Sequence, residues 1–176
     1  MGGAISISAN NETSKYITRL WEHAGLFEDE PSMSRLGYPP HFTFAIYEHL
    51  ETERLERAVR SVFSGCAPIH ITFDCIKFFD TSPFVLWASP RDASALHELH
   101  TAIHDHNDPA RCHVHYRPGA WVPHCTLASS IAHAQKSKAI DFAAKAAMPF
   151  DVIFDAADWI SFPPIKLAGS LSLGSQ

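Results

Sequence analysis

At 176 residues, with 46% apolar and 19% charged side chains, the chain has the size and composition of one globular domain, residues 1–176, with a proper core. A net charge of −5 leaves no broad basic footprint. That excludes electrostatically driven binding to long duplex nucleic acid, but not a small phosphate-bearing substrate. No apolar run reaches the length of a membrane span.

Met1–Ser6 lacks the charged and apolar regions of a signal peptide, so a cytoplasmic protein is expected. Gly2 and Ser6 formally fit a myristoylation pattern, but Ala4–Ala9 alternates like an integral strand with Ile5 and Ile7 on one face. Asn11 is placed to cap a helix running to about Ala24, with Ile17, Leu20, Trp21 and Ala24 on its buried stripe and Gly25 as its stop. Residues 27–40 are turn-rich and form a loop, a connector that leads directly into His41 and is a candidate flap.

His41–Tyr47 has strand composition. Thr52 is expected to cap a second helix, with Leu55, Val59, Val62 and Phe63 inward and Gly65 and Pro68 beyond its end. Ile69–Phe79 and Phe84–Ala88, joined by Asp80-Thr81-Ser82-Pro83, form a hairpin. Ser89-Pro90 matches an N-cap followed by a first-turn proline for a third helix to about His106. The polar stretch 107–119 contains a short strand around His113–Tyr116. Trp121–Ala128 is a strand, residues 132–147 a fourth helix, and the tail from Phe150 to Leu173 alternates as further strands.

The four cysteines have no CxxC spacing and lie mostly in strand-like runs, which points to buried reduced thiols. Twelve histidines are many for this length. His97, His100 and His104 share one helix face, but without an HExxH pattern they are read as a solvated face rather than a metal site.

Two stretches carry chemistry. In Pro40-His41-Phe42-Thr43-Phe44 and Pro123-His124-Cys125-Thr126-Leu127 the histidine and threonine share one strand face, and the apolar neighbours take the other. Each copy follows a proline and precedes a helix, so two similar α+β lobes facing each other would bring the pairs together in a central groove. Histidine titrates near working pH, at about 6.5. Two imidazoles facing a phosphodiester can divide the work, one taking a proton from the nucleophile and the other giving one to the leaving oxygen. The threonine hydroxyls can bond the non-bridging oxygens. No metal or other cofactor is required.

The two motifs resemble the signatures of the two-histidine (2H) phosphoesterase superfamily, in particular its 2′-5′ RNA ligase (LigT-like) and cyclic phosphodiesterase group. Ile76–Phe79 with Val85–Ala88 is similar to that group's central hairpin, and the likeness runs from about Ile5 to Leu173. It implies an α+β fold of two pseudo-symmetric antiparallel-sheet lobes with helices outside and a central groove. It also implies a metal-independent enzyme that hydrolyses or forms phosphodiesters at ribose 2′ positions, such as 2′,3′-cyclic phosphates or 2′-5′ linkages. The residues it carries over as catalytic are His41, Thr43, His124 and Thr126.

RNA-processing members tend to have basic residues around the groove, whereas Ala128-Ser129-Ser130 is neutral. The expected partner is therefore a nucleotide or oligoribonucleotide end carrying a cyclic phosphate, handled by a monomer. Arg117 is the local candidate for an additional phosphate contact, and Tyr38, Phe78 and Trp121 are candidates for stacking on a base. The competing expectation is a nucleotide- or RNA-end-binding module with little catalysis.

Overall fold

The computed structural model describes residues 2–174. The domain limits expected at residues 1 and 176 lie outside them. Among the described residues eight strands form two antiparallel sheets. The first contains β1 (Gly2–Ser8), β2 (His41–Tyr47), β7 (Ala156–Phe162) and β8 (Lys166–Ser172) in the order β2-β1-β7-β8. The second contains β3 (Ile69–Phe79), β4 (Phe84–Pro90), β5 (Cys125–Ile131) and β6 (Phe150–Phe154) in the order β5-β4-β3-β6.

The lobes are not the two halves of the sequence. One sheet takes both ends of the chain and the other takes its middle. The helices cross over as well. The helices α1 (Lys15–Ala24) and α4 (Lys136–Lys145) pack on the second sheet. The other two, α2 (Thr52–Phe63) and α3 (Ser94–His106), pack on the first, with α3 against α2 and β2. Among the described residues no helix is long and apolar enough to cross a membrane.

Strand β1 is buried on both faces, which its small and β-branched residues permit. Gly2 is its first residue, and a Cβ there would lie 2.5 Å from the Phe162 ring. Asn11 caps a 3-10 turn, Glu12–Ser14, that runs straight into α1, its side chain accepting from the Thr13 amide. Gly25 follows α1 but stays right-handed and begins another 3-10 turn.

Several local expectations are corrected. Thr52 is the first helical residue of α2 and Glu51 is the N-cap. Ser89-Pro90 does not start a helix: a bulge between Phe73 and Cys75 carries the ladder on, so that Ser89 pairs with Cys75 and Pro90 with Phe73. Proline is tolerated at that strand end. The start of α3 is set instead by Asp92, whose carboxylate accepts from the Ser94 amide at 2.9 Å and hydroxyl at 2.6 Å. In place of the strand expected around His113–Tyr116 there is a 3-10 turn, Val114–Tyr116, with Cys112 bridging Tyr47 and the His113 amide donating to the Ile46 carbonyl. The strand expected from Trp121 begins only at Cys125, and the fourth helix is shorter than 132–147, with a 3-10 turn before it.

Phe42 joins the two sheets. It lies on the face of β2 opposite His41 and Thr43, and its ring is 5.8 Å from Phe73 and 5.0 Å from Phe154 in the second sheet. Because Phe42 is fully buried, Phe42→Ala should lower unfolding stability by about 3–5 kcal/mol. Urea denaturation measures this, and a change under about 1 kcal/mol would deny the ring its bridging role.

Candidate active site

His41 is the first residue of β2, and His124 immediately precedes β5. The His41 Nδ1–H donates to the Pro39 carbonyl at 2.8 Å, and the His124 Nδ1–H to the Val122 carbonyl at 2.6 Å. A carbonyl can only accept, so both rings are fixed as the Nδ1–H tautomer and each Nε2 is left free. Thr43 and Thr126 follow two residues later, and all four side chains line one cleft of about 480 Å³. The backbone behind each threonine is held alike. The Trp121 indole N–H donates to the Thr43 carbonyl at 3.0 Å, and the Trp21 indole N–H to the Thr126 carbonyl at 2.9 Å.

The lobes differ in charge around this matched pair. Across the first sheet the register runs Thr43, Ser6, Asp158, Ser170. The Thr43 and Ser6 hydroxyls share a bond of 3.2 Å. Asp158, only 2% exposed, accepts from the hydroxyls of Ser8, Tyr38 and Ser170, each at 2.5 Å. The Tyr38 ring lies 4.8 Å from His41. Across the second sheet the register runs Thr126, Trp87, Lys77, which puts a cation in the strand position that Asp158 takes in the first. Lys77 lies over the Trp87 ring at 5.8 Å, and the Phe79 and Trp87 rings stand T-shaped to His124 with centroids at 5.2 and 6.0 Å.

Burial pushes both imidazoles below the usual histidine range. For His41 the Pro39 carbonyl opposes burial, nearby His124 adds to it, and the Asp158 carboxylate also opposes it. For His124 only the Val122 carbonyl opposes it. Burial, then Asp158, pushes the Tyr38 phenol well up, so it stays a donor.

Of the other candidate residues, Tyr38 lines the cleft. Phe78 lies on the opposite face of β3 from Phe79 and packs on Phe84 at 5.0 Å. Trp121 is buried, stacked on His100 at 4.4 Å and beside Phe44 at 5.3 Å. The Arg117 guanidinium donates to the Cys112 and Ala110 carbonyls and does not line the cleft. His113 and His115 are exposed and do not line it either. The loop 27–40 contributes Met33, Leu36 and Tyr38 to the cleft wall. It is tied to β5 by Glu28, whose carboxylate accepts from the Ser129 and Ser130 amides at 2.9 and 2.7 Å. The cysteines are free; Cys112 and Cys125 are buried, and burial pushes the Cys125 thiol up to about 12.

Of the three α3 histidines only His97 is exposed, so they do not form a solvated face together. His100 and His104 are buried, and both Nε2–H groups donate to the Tyr116 carbonyl, at 2.8 and 3.0 Å. They thereby hold Tyr116 against the cleft. The buried Nδ1 of His104 has no hydrogen-bond partner among the described residues. Burial lowers the pKa of both, so each favours the fold while neutral. That contribution is complete above the unfolded value of about 6.5 and is lost as pH falls through the lower folded value. His104→Gln, whose amide can still donate to Tyr116, should flatten the fall in urea midpoint on acidification. An unchanged slope would contradict this origin.

Comparison with known proteins agrees with this architecture. E. coli LigT, in its complex with 3′-AMP, superposes with a TM-score of 0.61 at 16% identity over 98% of each chain. TT0787 of Thermus thermophilus gives 0.65 at 14% identity, again over 98% of each chain. A structure described as a phosphoesterase gives 0.60 at 16% identity and the same coverage. No curated protein matches the sequence. The family model of the 2′-5′ RNA ligase superfamily matches residues 12–161, which contain both histidine motifs and every strand but β1, β8 and the last residue of β7. On that match, the chain belongs to the 2′-5′ RNA ligase superfamily.

Proposed function

We propose that the chain is a metal-independent 2H phosphoesterase that opens, or in reverse forms, phosphodiesters at ribose 2′ positions, such as 2′,3′-cyclic phosphates or 2′-5′ linkages. One observation carries this reading: two imidazoles with matched Nδ1–H tethers and free Nε2 atoms line the same cleft as two threonine hydroxyls. The complex of LigT with 3′-AMP supports a nucleoside-sized ligand for a cleft of this kind.

In hydrolysis, His124 Nε2 takes a proton from water as the water oxygen bonds to phosphorus. The bond from phosphorus to one ribose oxygen breaks, and the Nε2–H of protonated His41 gives that oxygen its proton. A cyclic diester thus becomes a phosphomonoester, and the reverse reaction exchanges the roles. Thr43 and Thr126 donate to the non-bridging oxygens as charge shifts onto them. The assignment of acid and base follows from the asymmetry between the lobes. Asp158 favours a proton on His41, whereas no carboxylate is among the groups that act on His124. The free thiols are consistent with action in the cytoplasm.

His41→Ala and His124→Ala should each lower turnover of 2′,3′-cyclic AMP by about 10²–10⁴-fold in folded protein, and EDTA should leave the rate unchanged. Full activity in either variant would exclude the two-histidine mechanism. Tight binding without turnover in the unaltered protein would instead favour a binding module. The pH profile of kcat/KM should be bell-shaped, and Asp158→Asn should move its upper limb to lower pH, because His41 loses the anion that favours its proton. An unmoved upper limb would contradict the assignment of His41 as acid.

A further inference from the structure

The cleft lining combines polar residues, His41, Thr43, His124, Thr126 and Ser129, with a contiguous apolar cluster of Ala4, Leu36, Ile46, Ile160 and Phe162. Among the described residues that line the cleft there is no lysine or arginine. Arg117 is turned to loop carbonyls, and Lys77 to the Trp87 ring.

The backbone donors at the end of the second motif are also occupied. The Ser129 and Ser130 amides donate to the Glu28 carboxylate, which accepts from the Ser32 amide at 2.8 Å and hydroxyl at 2.7 Å as well. A phosphate arriving beside Ser129 would find these amides already occupied and no cation to meet it. The two histidines and two threonines can match one phosphodiester anion. A second phosphate would be desolvated without a partner.

We infer that the cleft takes a singly charged cyclic phosphodiester whose uncharged, apolar organic group seats on the wall formed by Ala4, Leu36, Ile160 and Phe162, and that it discriminates against substrates with additional phosphates. The inference rests on the two-histidine reading of the same cleft and adds which substrates within that class are admitted. The apolar wall favours the group because seating it there removes apolar surface from water on both partners. Phe162 is placed for this by Gly2, where any side chain would collide with its ring.

Calorimetric binding to the His124→Ala protein tests the inference without turnover. Three probes suffice: 2′,3′-cyclic AMP, the same molecule with a 5′-phosphate, and ribose 2′,3′-cyclic phosphate without the base. Adding the phosphate and removing the base should each weaken binding about tenfold or more, about 1.4 kcal/mol. Leu36→Arg, in the same background, should recover most of the loss caused by the 5′-phosphate. Phe162→Ala should erase most of the advantage conferred by the base. Equal or tighter binding of the 5′-phosphorylated probe, equal binding of the base-free probe, or no binding of any of the three would overturn the inference. Turnover of 2′,3′-cyclic AMP by the unaltered protein reads the proposed activity separately, so loss of activity with retained discrimination would count against the mechanism and not against the substrate class.

Discussion

The site depends on one small interaction made twice, the hydrogen bond from each histidine Nδ1–H to the carbonyl two residues upstream. It selects the tautomer, orients the ring and leaves Nε2 available. The sequence around each copy explains why that carbonyl is in place. Pro40 and Pro123 stand between the acceptor and the histidine, and a residue before proline is held in an extended conformation. A flexible residue there would let the imidazole rotate and exchange tautomers. The proline of each motif is therefore part of the geometry of the site.

The remainder of the fold keeps these two tethers facing one cleft. Phe42, one residue from His41, packs into the second sheet and fixes β2 against it. Two indoles, from α1 and from the segment before β5, hold the threonine carbonyls in equivalent ways. The pseudo-symmetry is broken by charge, with the buried carboxylate of Asp158 in one sheet and Lys77 over Trp87 in the other. Two chemically identical side chains need such a difference if one is to favour its proton and the other to lose it. Three hydroxyls donate to Asp158 and hold its carboxyl in place within the sheet.

The motifs were legible because period-two alternation places residues i and i+2 on one strand face whatever the surrounding topology. The lobes were legible as a pair but not in composition. Strand pairing is nonlocal, and nothing in the spacing of β3 and β4 says that they leave β1 and β2 for β5 and β6. Aromatic candidates were harder to place, since a one-residue step along β3 separates Phe78, half-exposed against Phe84, from Phe79, beside His124. Trp121 has strand composition around it, yet it packs on His100 and holds Thr43. The role of Asp158 did leave a trace: it is the one charged residue in the otherwise apolar run from Ala156 to Ile160. Ser6 and Ser8 alternate with Ile5 and Ile7 in the same way, marking a polar face on a buried strand. The histidines of α3 could not be told from a solvated face, because their acceptor, the Tyr116 carbonyl, belongs to a distant turn.

The central claim is that both imidazoles engage one phosphoryl group through Nε2. A crystal structure of the protein with inorganic phosphate tests it most directly. The account predicts one anion in the cleft, within hydrogen-bonding distance of both Nε2 atoms and of the Thr43 and Thr126 hydroxyls. An anion held by only one histidine, or a ring flipped to present Nδ1 to the phosphate, would contradict it.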